Sequence, residues 1–137
     1  MKREGFTLME LLIVVILLGV LAGIAVPTMQ KATEQGFKRE ALDVLLTIYS
    51  AERAYLVKED AYHGPLDPCG GGLICMAEWR TIGMDDPNAL QASPVTFSVD
   101  VVNVPPPPTF SATADRGSGK TLTIDENRVI TDAWSIP

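Results

Sequence analysis

Histidine, cysteine and surplus positive charge are all scarce in this 137-residue chain, and each scarcity closes off a class of function. The single histidine, His63, stands beside Gly64-Pro65 in turn-like sequence. The sequence around it offers no grouping that suggests both an oriented partner and a nucleophile within reach, so catalysis has no local support and no catalytic residue is expected. The only two cysteines, Cys69 and Cys75, are separated by five residues with no second histidine to make a zinc set. A disulfide, free thiols and metal or redox use are the three readings of that pair. An exported chain favours the bridge, which in a loop so short adds about 2 kcal/mol before strain.

Basic charge is in deficit. The formal charge is −6, and residues 61–137 carry nine acids against four bases. That excludes the positive footprint of a nucleic-acid-binding domain, and no nucleic-acid partner is expected. Asp85, Asp86 and Asn88 lack the spacing and the bidentate glutamate of a calcium loop. Gly117-Ser118-Gly119-Lys120-Thr121 lacks the leading glycine of a phosphate loop and falls between strand-like runs, so it reads as a hairpin turn. No cofactor and no metal are expected, and the chain reads as a building block rather than an enzyme.

Charge is also absent from Leu11 to Val26, sixteen consecutive residues without a polar side chain. Counted from Phe6, the apolar segment is 21 residues long. As a helix it would measure about 31 Å, which matches the hydrocarbon core of a bilayer. Lys2 and Arg3 precede it, so the N-terminal end is expected to stay cytoplasmic while the rest is exported. Glu10 is the one ionisable group inside the run, and a carboxylate in hydrocarbon costs at least about 2–3 kcal/mol without a partner. It either reaches the headgroups or meets a cation. Cleavage after Gly5 would create one, because the new amino group of Phe6 lies one helical turn away, in the same chain or a neighbour. Gly19 and Gly23 share a helix face that either admits a second helix closely or is simply tolerated in a membrane. Pro27 withholds the N–H that would bond the Gly23 carbonyl, so the turn around residues 19–27 is a weak stretch of helix.

The segment Gly5-Phe6-Thr7-Leu8-Met9-Glu10-Leu11-Leu12, the long apolar run with Gly19, and Pro27 at its end resemble the type IV pilins and the pseudopilins of type II secretion. The likeness is close over about residues 2–27. It implies cleavage between Gly5 and Phe6 and N-methylation of Phe6 by a prepilin peptidase and methyltransferase. It also implies pairing of Glu10 with the first residue of an adjacent subunit, and melting of the Gly19 to Pro27 region in the filament. Implied partners are identical or related subunits, an inner-membrane platform with a separate ATPase, and the bilayer before assembly. The implied locations are the inner membrane for the precursor and an extracellular filament, or a periplasmic pseudopilus. Met9 and Glu4 depart mildly from the family pattern. The cysteine pair departs more, since many pilins bridge their C-terminal region, and the C-terminal third lacks the carboxylate cluster with which major pseudopilins usually hold calcium.

Beyond the span, Met29, Ala32, Phe37, Ala41, Leu42, Leu45, Ile48, Tyr49, Glu52, Tyr55 and Leu56 recur at helical spacing, with Glu52 the one polar member. Residues 28–57 therefore read as an amphipathic helix continuing the span. The turn-rich stretch 61–94 reads as a connecting loop pinned by Trp79 and Ile82. Val95, Phe97, Val99 and Val101 alternate with polar residues, Pro105 to Pro108 interrupts, and two or three further short strands complete a sheet over residues 95–131. The expected class is α+β: a pilin fold with a long N-terminal helix, half transmembrane and half amphipathic, on three or four antiparallel strands. Its organisation is a leader 1–5, an assembly helix 6–27 and a globular domain 28–137.

Overall fold

The computed structural model describes residues 7–66, 73–89, 93–104 and 107–136, and within these the side chains of all but 26, 27 and 73–75. Helix α1 runs without interruption from Leu8 to Glu59, 52 residues, a length of about 78 Å. It begins at Thr7, whose hydroxyl accepts the Glu10 N–H at 3.2 Å, as an N-cap side chain should. It ends at Asp60, which adopts a left-handed conformation (φ 56°) and donates its N–H to the Leu56 carbonyl.

Four antiparallel strands form a meander in chain order: β1 Thr96–Val102, β2 Thr109–Asp115, β3 Thr121–Asp125 and β4 Ile130–Asp132. Alternation along the first three sends Phe97 and Val99, Phe110, Ala112 and Ala114, and Leu122 and Ile124 to the buried face. Register then stacks Phe97, Ala114 and Leu122 in one row and Val99, Ala112 and Ile124 in the next. Each row is large, small, large, and the alanines make a shallow channel along β2. Ala41, Leu45 and Ile48 of α1 are fully buried over this sheet. The expected α+β class and the helix-on-sheet layout are those observed.

Only part of the apolar stripe expected on residues 28–57 is covered. Phe37 packs against the core, but Met29 and Ala32 are exposed. The hydrogen bonds and ion pairs from the sheet side reach down α1 as far as Glu34, through the β2–β3 turn, and leave the two residues nearer the span exposed. The connection 61–94 also carries more regular structure than a loop: α2, Leu73–Thr81, and a single 3-10 turn, Pro87–Ala89. Nine residues are too few for helical periodicity to stand out beside three glycines. Trp79 and Ile82 do anchor this connection in the core, at 0% and 7% exposure. Cys75 lies on α2, while Cys69 and the expected bridge lie outside the described residues.

The outer edge of β1 is closed by side chains and one short bridge. Asn88 bonds both backbone atoms of Phe97, accepting its N–H at 2.7 Å and donating to its carbonyl at 2.9 Å. Leu66 exchanges two backbone bonds with Val99, and Asn103 does the same with its side chain at Tyr62. An edge so occupied has little left to offer another strand.

Glu52, the polar member of the apolar stripe, is fully buried. Its Oε2 accepts the His63 N–H at 2.9 Å, and Oε1 has no partner. Burial raises its pKa from 4.5 to about 7, against the opposing effect of the His63 bond. Between those values the unfolded chain has lost the proton and the folded chain still holds it, so stability falls as pH rises from about 4.5 to about 7. Glu52→Gln keeps the acceptor for His63 and removes the titration. Melting curves of the full chain in detergent from pH 4.5 to 8 should show that decline in the parent and not in the variant.

Candidate assembly interface

Among the described residues, the first third of α1 packs against nothing outside the helix itself. From Leu8 to Ile24 the large apolar side chains are 45% to 89% exposed, with Val14 and Leu8 at the two extremes. This run is long and apolar enough to cross a membrane, and its most apolar stretch is wholly unburied among the described residues. Glu10 sits in its first turn, and among the described residues it is tethered through its backbone, whose N–H reaches both the carbonyl and the hydroxyl of Thr7. Gly19 and Gly23 lie one turn apart, and a Cβ added at either meets no atom within 4 Å. Their missing side chains are therefore not required by this chain's own packing.

Around Pro27 the backbone stays helical. The Gly23 carbonyl lacks its usual donor there, since proline has no N–H. Thr28 reinforces the same turn, its hydroxyl donating to the Ala25 carbonyl at 2.8 Å and the Ile24 carbonyl at 3.2 Å. Gly5 and Phe6, the expected processing pair, lie outside the described residues.

Where α1 leaves the apolar run, a second group of residues forms a neck that sequence reading did not assemble. The β2–β3 turn, residues 116–120, folds back through three consecutive left-handed residues, Gly117, Ser118 and Gly119. It delivers both of its basic residues to Glu34. Arg116 Nη2 lies 3.3 Å and Lys120 Nζ 3.1 Å from the two carboxylate oxygens. The Lys120 bond, joined by the charge of both cations, outweighs burial and holds Glu34 below the usual carboxylate range. The Arg116 guanidinium lies 5.0 Å from the Phe37 ring centre. On the same stretch of helix, Lys38 pairs with Asp132 at 2.6 Å and donates to the Trp134 carbonyl, which fastens the C-terminal segment. These partners are 82 to 96 residues apart in sequence, and no local pattern announces such pairs.

His63 meets Tyr55 in a tilted pair, with ring centres 5.2 Å apart, and gathers no nucleophile among the described residues. Asp86 uses Oδ1 to accept the Asn88 N–H, placing Asn88 for the β1 edge.

The N-terminal segment, residues 1–26, matches the family model for the prokaryotic N-terminal methylation motif. In that N-terminal part the chain is similar to the pilins and pseudopilins. It is 38% identical over 61 residues to the type IV major pilin protein PilA of Myxococcus xanthus, covering 44% of this chain and 28% of that one. It is 34% identical over 64 residues to the type II secretion system core protein G of Escherichia coli, covering 47% and 43%. The protein of the same name from Pectobacterium carotovorum is 31% identical over 61 residues, covering 44% and 39%. The matched stretches thus span less than half the length of these curated relatives. No solved structure matches the chain. In this pilin-like chain the bare helix and its glycine face form the candidate assembly surface. Because Gly23 faces open space, Gly23→Leu should not destabilise the monomer, since leucine favours a helix over glycine by up to about 1 kcal/mol. The same substitution should lower filament yield in pelleting assays, whereas equal yields would mean that the glycine face is not an assembly contact.

Proposed function

We propose that this protein is a structural subunit of a type IV pilus, a building block rather than an enzyme. In this reading a prepilin peptidase and methyltransferase cuts between Gly5 and Phe6 and methylates Phe6. The precursor waits in the inner membrane as a single-pass chain with its N-terminus in the cytoplasm, and a platform with a separate ATPase moves it into an extracellular filament. The observation that carries the proposal is the bare apolar length of α1, joined to the methylation motif. A helix that its own head leaves uncovered needs lipid first and neighbouring helices later. Within that core Glu10 pairs with the amino group of Phe6 of an adjacent subunit, which removes the cost of an isolated carboxylate. Gly19 and Gly23 let a neighbour's backbone come close, and Pro27 marks the end of a stretch that opens on assembly.

A pseudopilus subunit of type II secretion is the second reading. It is favoured by the Escherichia coli core protein G, which matches over a larger share of its own length than the major pilin does. Deleting the chain separates the two. Loss of surface fibres with export intact supports the pilus, and arrested protein export with surface fibres unchanged supports the pseudopilus. In either system Glu10→Ala should cut incorporation by at least about tenfold without changing the melting of the head. Intact mass of the assembled protein should show loss of residues 1–5 and one added methyl group on Phe6. An unprocessed chain in filaments would contradict the proposal.

A further inference from the structure

The neck contains an open cleft of about 350 Å³ lined by Met29, Gln30, Thr33, Glu34, Phe37, Arg116 and Lys120. Two cations converge on one carboxylate there, leaving the site with a surplus positive charge. A guanidinium offers five donors and an ammonium three, yet Arg116 Nη2 and Lys120 Nζ each give one bond to Glu34. Arg116 Nε is buried and has no hydrogen-bond partner among the described residues. Beside these unspent donors lies apolar surface, the half-buried Phe37 ring and Met29 at 70% exposure.

Position along α1 specifies what such a cleft would meet. Counting from Pro27, Met29 lies about 3 Å, Glu34 about 10 Å and Phe37 about 15 Å beyond the end of the apolar run. The polar layer of a bilayer leaflet is about 5–8 Å deep. The Met29 end of the cleft therefore opens inside the headgroup layer, and the cationic ends of Arg116 and Lys120, held on Glu34, line the same cleft just above that layer. The geometry points to a binding site for the phosphodiester of a phospholipid in the exported leaflet. Phosphate oxygens take the spare donors of Arg116 and Lys120, and the glycerol and upper acyl carbons lie along Met29 and Phe37. A phosphodiester neutralises the surplus charge, and the apolar wall distinguishes a lipid from free phosphate. The site would hold the head at a fixed height on the membrane and would have to be vacated when the subunit leaves for a filament. This inference rests on the membrane-anchored reading of α1.

The test uses the full chain reconstituted in nanodiscs of phosphatidylglycerol, then released into mild detergent for native mass spectrometry. Co-elution with the nanodisc reports the membrane anchor, and phospholipid retained after release reports the cleft. The parent protein should keep one phospholipid. Arg116→Gln combined with Lys120→Gln should lower the retained fraction about tenfold, the scale of losing charge-assisted bonds. Glu34→Gln removes the competing carboxylate and should raise retention, the opposite direction. That second variant keeps the test decisive if the double variant fails to fold, which melting followed by tryptophan fluorescence would show. Failure to co-elute overturns the membrane reading and the cleft together. Co-elution with no retained lipid overturns the cleft alone, as do a Glu34→Gln variant that loses lipid, the behaviour of a purely structural ion-pair cluster, and displacement of the lipid by millimolar inorganic phosphate.

Discussion

Everything in this protein is arranged around a helix that it cannot cover itself. Burying one large aliphatic side chain is worth about 1.5–3 kcal/mol, whereas the net stability of a domain is about 5–15 kcal/mol. A handful of the bare residues between Leu8 and Ile24 therefore carries as much free energy as the whole fold. The described residues leave them uncovered, and in the proposed function an external apolar phase takes them up. The bilayer is one such phase and the packed helices of a filament are another, and the proposed function is the passage from the first to the second.

The head turns the rest of α1 into a rigid handle. The alanine channel along β2 seats Ala41, Leu45 and Ile48, while Phe97 and Leu122, and Val99 and Ile124, wall it on either side. Glu52 costs stability when charged, yet its bond to the His63 N–H ties the end of α1 to the segment that closes the β1 edge. At the other end, Glu34 and Lys38 fasten the β2–β3 turn and the C-terminal segment to the helix just above the bare run. A force applied along the exposed length of α1 is thus carried into the sheet through ion pairs at the neck and through packing above it.

Much of this was legible in the sequence because the decisive features are local. An unbroken apolar run, one internal carboxylate, two glycines four apart and a proline all report on a helix through nearest-turn chemistry, and alternation from Val95 onward reports on strands in the same way. What stayed hidden depends on long separations. Arg116 and Lys120 read as a hairpin turn and nothing more, because Glu34 lies more than 80 residues away. Asn88 and Asn103 look like ordinary turn residues until the β1 edge is in place to receive them. The helix at Leu73–Thr81 was masked by the turn formers before it, and Met29 and Ala32 continued a stripe whose cover stops short of them. The motif match over residues 1–26 rests on the same local signals, which explains why sequence identified the N-terminal helix more firmly than the head.

The central claim is that residues of the bare run exchange lipid for protein neighbours. A nitroxide label at Val14, read by electron paramagnetic resonance with lipid-soluble oxygen and a water-soluble relaxation agent, reports that exchange in a single measurement. The account predicts high oxygen accessibility in the membrane-held subunit and shielding from both agents in the filament. Accessibility to the water-soluble agent in the membrane-held subunit, or equal oxygen accessibility in both states, would contradict it.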